Sequence, residues 1–230
     1  MILEGAGEGL ARLFAGDPEV WGAVQVSVGV SVASLLLAAL LGLPLGLLLG
    51  QARFRGKGAL RAVVHALMAT PTVLIGLLGY ALLSRSGPLG GLGLLYTPTA
   101  MVLGQAALAL PLVVGLSAAA VEKADPRIAQ AALGLGASRG RALWVLSRER
   151  SPALWAALAV VFGRVFSEVG ISFMLGGNIL GYTRNIATGI AFETGRGEFA
   201  LGVALGAVLL LVALGVNALS AVLEARAGER

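Results

Sequence analysis

Charged residues are sparse in this chain and leave long uncharged intervals. No residue between Glu19 and Arg53 is charged. Residues 62–84 carry no charged residue and one His, His65, and residues 86–121 and 199–223 carry no charged residue. Residues 151–175 are apolar apart from Arg164 and Glu168. Each interval exceeds the ~18 apolar residues that read as a membrane span. The pattern predicts helices near 23–50, 60–84, 97–121, 152–175 and 200–224. In lipid every backbone N–H and C=O must find a partner within the protein, so helices are the expected form. A β-barrel would alternate polar and apolar positions, and these intervals do not. The fold expected is all-α, a polytopic transmembrane bundle of about five spans.

Composition agrees. The chain is 57% hydrophobic and only 13% charged, against about 25% charged in soluble domains. Mean hydropathy is +0.89. There is no Cys, which excludes disulfides, thiolate metal sites and thiol chemistry, and a single His argues against a His-built metal centre. No metal site and no cofactor are expected. Met1-Ile2-Leu3-Glu4-Gly5 lacks a basic start followed by an apolar core, so no cleavable signal peptide is expected.

The net charge of +5 gains meaning from its placement. Arg53, Arg55, Lys57 and Arg61 sit in the first connection. Lys123, Arg127, Arg139, Arg141, Arg148 and Arg150 sit between spans three and four, and Arg226 and Arg230 in the tail. The opposite side receives only Arg12, Arg85, Arg184 and Arg196. Basic connections stay cytoplasmic. The expected topology is an external segment 1–22, a membrane domain 23–224 with residues 122–150 inside, and a cytoplasmic tail 225–230. The positive charge is an orientation signal, so nucleic acid is not an expected partner.

Residues 122–150 are too polar to span a membrane and too rich in helix formers for a plain loop. Asp125-Pro126 has the form of a helix N-cap with Pro at the first position. Gly136 then permits a close turn, and 139–150 can form a second short helix with Leu143, Trp144, Val145 and Leu146 on its apolar side. Two roles fit this hairpin. It can seat in a partner's cleft, or lie on the membrane with its basic residues on lipid headgroups.

Gln130-Ala131-Ala132-x-x-Leu135-Gly136-Ala137 resembles the E-A-A-x-x-L-G-A coupling loop of permease subunits in ABC importers, with Gln for the usual Glu. Leu146-Ser147-Arg148-Glu149 stands where that family has Leu-Pro. The resemblance covers roughly residues 20–225. It implies that Gln130, Ala131, Ala132, Leu135, Gly136 and Ala137 contact a separate ATPase. It further implies two ATPase subunits, an extracytoplasmic solute-binding protein, a second permease copy, and a bacterial or archaeal inner membrane. The chain itself lacks a P-loop. Its nearest run, Gly50 to Gly58, has one residue too many and ends in Gly. No catalytic residue is expected. A membrane enzyme would need a catalytic set that one His and no intramembrane Asp cannot supply, and a lone channel or secondary transporter would need no docking hairpin.

Arg164 and Glu168 stand four apart, within pairing reach on a helix. An ion at membrane depth faces the bundle interior or a water-filled path. The two either neutralise each other or border a path, together with Thr70 and Ser172. Residues 176–185, Gly-Gly-Asn-Ile-Leu-Gly-Tyr-Thr-Arg-Asn, with Ile190 to Thr194 beyond, resemble the outer loop of tungstate-type permeases. Gly177, Asn178, Tyr182, Thr183 and Arg184 then form an external loop or gate. Its N–H, O–H and guanidinium donors suit a tetrahedral oxyanion, or it is a capped loop touching the binding protein. The resemblance implies tungstate first, then molybdate or sulfate. His65, Thr70, Gln105 and Asn217 read as interhelical hydrogen-bonding groups. Pro44, Pro71 and Pro111 mark bends. Gly42, Gly46 and Gly50 give the first helix a smooth face, for packing within the chain or on a second permease.

Overall fold

The computed structural model describes residues 7, 11–52 and 54–228. Residues 1–6, 8–10, 53, 229 and 230 lie outside the described residues, and with them the signal-peptide reading and the charges Glu4, Glu8, Arg53 and Arg230. The described residues are helical and connecting, with no strand among them. In chain order the helices are α1 (Pro18–Gln51), α2 (Lys57–Met68), α3 (Thr72–Leu83), α4 (Pro98–Glu122), α5 (Pro126–Gly134), α6 (Arg139–Glu149), α7 (Ser151–Phe166), α8 (Gly170–Gly176), α9 (Ile186–Arg196) and α10 (Phe199–Gly228).

α1, α4 and α10 are each long and apolar enough to cross a membrane. The other two expected spans are broken. α2 and α3 meet at 85°, and α7 and α8 at 57°. The first break follows from Pro71, which has no N–H and pushes Thr70 out of the helical region. At the second, an oxygen of Glu168 takes the Ile171 N–H at 3.2 Å and opens α8 there. The count of five spans holds when each bent pair is taken as one. Pro44 and Pro111, by contrast, sit inside continuous helices.

Caps explain the other boundaries. Asp17 accepts from Glu19 N at 2.8 Å with Pro18 at the first turn, so α1 begins before residue 23. Thr97 and Pro98 open α4 in the same way. An Asn185/Thr188 capping box opens α9, a helix inside what the sequence reads as an outer loop.

α4 is the centre, with half of its span window buried and α1, α2, α3, α7 and α8 around it. α1 packs on it most closely, through the predicted glycine face. An added Cβ at Gly42 would lie 2.8 Å from Val113, one at Gly50 2.8 Å from Ala118 O, and one at Gly46 would overlap the Ser117 hydroxyl. That face is thus occupied by this chain's own α4, and a second permease copy has no room there. α10 covers α7 and α9. The bent pairs meet through their second halves, where Gly76 of α3 sits against Met174 and the Gly170 carbonyl.

Candidate functional site

At one end of the bundle lies the α5–α6 hairpin. Asp125 accepts from Arg127 N at 2.8 Å and Ser138 from Arg141 N at 3.3 Å, so each helix has its own cap. Gly136 turns the chain between them at φ +84, as its position in the motif predicts. Gln130, Ala131 and Gly136 are exposed, Ala132 and Ala137 half-buried, and Leu135 is 89% exposed. A bare leucine at a turn, beside Leu133 at 47%, is an apolar surface shaped to be covered by another molecule.

The hairpin is tied to the spans above it. Arg150 Nε donates to Ala120 O at 3.2 Å, in the last turn of α4. Lys57 Nζ donates to Gly50 O at 2.9 Å, near the end of α1. Lys57 and Arg61 both pair with Glu122, each at 3.0 Å. Cations at helix C-termini are favoured by the orphan carbonyls and the helix dipole. A cleft of about 370 Å³ separates these ends from α5, with Gln130, Leu133 and Leu146 in its wall.

Arg164 and Glu168 are paired at 2.8 Å, Nη1 to Oε2. They are not inside one helix, because α7 ends at Phe166 and Glu168 stands in the break. The pair is asymmetric. The Glu168 side chain is 3% exposed with both oxygens engaged, and that of Arg164 is 45% exposed. Glu168 is thus a fixed brace, and Arg164 presents a guanidinium outward from the chain. Ser172 is fully buried and accepts from Gln105 Nε2 at 2.9 Å. Ser34 in turn contacts Gln105 Oε1 at 3.4 Å. This chain of hydrogen bonds joins α1, α4 and α8.

Thr70 is not brought to the bend. Its hydroxyl bonds back to Ala66 O at 3.4 Å. Thr72 is there instead: a Cβ on Gly170 would lie 3.4 Å from both Thr72 Oγ1 and Glu168 Oε1. Of the polar residues read as interhelical, Gln105 is so used, and Asn217 bonds within its own helix to Ala213 O. The exposed His65 side chain has no hydrogen bond among the described residues, while its carbonyl accepts from Ala69 N.

At the other end the Gly-rich segment is turned inward. Thr183 Oγ1 donates to Gly176 O and accepts from Ile179 N at 3.0 Å, and the residue is fully buried. Arg184 is 8% exposed, and its Nη1 pairs with Glu19 and, at 2.9 Å, with Glu193. It also lies 5.0 Å from the Phe192 ring centroid. Ser27 accepts from Ile186 N at 2.8 Å. Together these clamp α9 and the loop to α1. Gly177 and Asn178 both have positive φ, and the Asn178 amide is buried with neither polar atom bonded among the described residues. Tyr182 is 48% exposed. Thr183 therefore spends its hydroxyl on the fold, and Arg184 spends Nη1 on two carboxylates while its buried Nε has no partner among the described residues.

Bent spans around a central helix, with a capped hairpin at one end, define a multi-pass helical permease. Residues 42–229 match the family described as binding-protein-dependent transport system inner membrane component. The chain belongs to this family, so it is an inner-membrane transport subunit. It is 38% identical over 217 residues to a tungstate uptake system permease protein of Peptoclostridium acidaminophilum, covering 94% of this chain and 95% of that one. It is 40% identical over 201 residues to a probable anion ABC transporter permease protein of Haloferax volcanii, covering 85% and 87%. The fold matches a chain in the crystal structure of a bacterial alginate ABC transporter in complex with an alginate pentasaccharide-bound periplasmic protein. There the TM-score is 0.66 and the identity 20%, over 92% of this chain and 81% of the other.

Proposed function

We propose that this chain is the permease of an ATP-driven importer of a tetrahedral oxyanion, with tungstate first and molybdate or sulfate as its chemical relatives. The observation that carries the cargo is the resemblance, over nearly the full length, to permeases named for tungstate and for anions. The Arg164 guanidinium supports it. It is braced by a buried carboxylate yet 45% exposed, and is available to a passing anion at the bend between α7 and α8. Thr72 stands nearby as a polar group at that bend, and Ser172, bonded to Gln105, holds α8 behind it.

The importer works as a homodimer with the path on its twofold axis, because one bundle encloses little. The segment before α1 is outside and residues beyond 224 are inside. Two ATPase subunits seat the 122–150 hairpins through Gln130, Ala131, Ala132, Leu135, Gly136 and Ala137. A solute-binding protein delivers the cargo at the opposite face, where Gly177, Asn178 and Tyr182 border the entrance. ATP binding draws the hairpins together, the attached helices rock, and hydrolysis resets them.

The test is uptake by vesicles holding the permease, its ATPase and its binding protein, with tungstate, molybdate and sulfate offered together and counted by elemental mass spectrometry. Tungsten accumulating ahead of molybdenum and sulfur is the expected result. Accumulation of none, with an active ATPase, would refute the cargo.

A further inference from the structure

Helix α6 has two unlike sides. Ala142 and Leu146 are each 3% exposed, one turn apart, and Leu146 faces the cleft beneath Gly50 and Val121. Arg141, Trp144 and Arg148 are exposed and follow one another at three and four residues, the spacing of a single stripe. Trp144 is 58% exposed, and the Arg148 guanidinium stacks 5.3 Å from its ring centroid. The indole Nε1 has no hydrogen bond, and neither arginine a carboxylate partner, among the described residues. Lys57, Arg61, Arg164, Arg184 and Arg196 are paired with carboxylates, whereas among the described residues Arg55, Arg85, Lys123, Arg127 and Arg150, like this pair, are not; what sets Arg141 and Arg148 apart is the exposed indole between them.

The height of this stripe is fixed by its neighbour. Arg150 Nε bonds the Ala120 carbonyl in the last turn of α4, so the end of α6 lies beside the end of that span. Arg148 is at that level, and Trp144 lies about 6 Å further along the helix axis. The ends of spans are where indole rings settle among headgroups and where basic side chains meet lipid phosphate.

We infer that the Arg141–Trp144–Arg148 face of α6 binds an anionic phospholipid headgroup, with the two guanidiniums on the phosphate and the indole at the boundary with the acyl chains. Charge complementarity selects the occupant. Two unpaired cations beside an exposed ring suit a diester phosphate with no compensating amine, such as phosphatidylglycerol, and give a zwitterionic headgroup no advantage. The site depends on α7 being a span. It does not depend on the cargo or on which face is cytoplasmic.

The test uses the full chain with Trp21→Phe and Trp155→Phe, leaving Trp144 as its only tryptophan, in phosphatidylcholine nanodiscs. Brominated phosphatidylglycerol or brominated phosphatidylcholine is introduced at the same mole fraction, and quenching of Trp144 is recorded. Each arginine near an anionic surface enriches the lipid about fivefold, so the anionic quencher acts well above its mole fraction. High salt and the Arg141→Gln/Arg148→Gln variant remove the difference. Equal quenching by the two lipids would overturn the proposal. So would an indole that neither lipid reaches and whose emission shifts when the partner ATPase is added, which would mark a protein contact instead. No transport is measured, so failure of the tungstate reading leaves this result untouched.

Discussion

Gly46 leaves no space for any side chain, because a Cβ there would overlap the Ser117 hydroxyl and lie 2.7 Å from Val114 O. Gly46→Ala is expected to force α1 and α4 apart and to lower stability by about 1–3 kcal/mol. Gly29→Ala, on the same helix with nothing within 4 Å of the new methyl, is expected to be silent or slightly stabilising. Thermal unfolding of the two variants in detergent compares them directly. The Arg164–Glu168 pair gives a second expectation. Removing Arg164 leaves a carboxylate that is 3% exposed without its cation, whereas Glu168→Gln leaves a cation that is 45% exposed and can turn to water. Arg164→Leu is therefore the more damaging single change. Its cost stays below the about 3–5 kcal/mol of a fully buried pair, and adding Glu168→Gln restores part of it. A double-mutant cycle on unfolding temperature and uptake checks both the asymmetry and the recovery. The four-residue spacing made this pair legible in the sequence. The partners of Arg184 were not, because Glu19 lies 165 residues away and nothing local points to it.

Among the elements, the spans were legible because burial in lipid demands long uncharged runs. The hairpin was legible because caps and a turn glycine are local signals. Both breaks were harder to read: a proline can end a helix, as Pro71 does, or pass within one, as Pro44 and Pro111 do, and the second break has no proline but a Glu168 carboxylate that takes the Ile171 N–H. Helix α9 was hidden by its brevity, and the Asn185 and Thr188 signal was the clue available. Two predictions belong at this scale. Gly136→Val faces open space, but β-branched side chains are strained at φ +84 by about 1–2 kcal/mol. The expected result is a folded permease whose hairpin no longer presents Leu135 correctly. Substrate-stimulated ATPase activity of the assembled transporter should fall while basal activity persists. Asp125→Ala removes the bond to Arg127 N and is expected to cost α5 about 0.5–2 kcal/mol. Amide hydrogen exchange over residues 126–134 should rise while exchange in α4 is unchanged.

For the whole molecule, the clamp at Arg184 matters most. Arg184→Ala leaves Glu193, which is 3% exposed, with only the long Arg196 contact at 3.9 Å, and frees Glu19. The expected loss is about 3–5 kcal/mol, read as a lower unfolding temperature together with lost uptake. Arg184→Ala/Glu193→Gln should recover stability. Uptake lost with stability intact in the single variant would instead restore Arg184 as a group that handles the anion. Fold class and span count could be read from composition and periodicity. The assignment of the outer loop could not, because donors that look free in a sequence are free only if the fold leaves them so.

The seam between α1 and α4 also has a mechanical meaning. With glycines pressed onto the neighbouring backbone, the two helices cannot slide or separate cheaply, and they behave as one stiff rod. α1 is about 51 Å long at 1.5 Å per residue. One end is fastened to the start of α2 by Lys57 and the other to the segment before α9 through Glu19 and Arg184. A tilt of about 5° around its midpoint would carry each end about 2 Å, in opposite directions. A rod pinned at both ends is a lever. A push on the hairpin reaches the far face with its sense reversed, and no relay of side chains is needed in between.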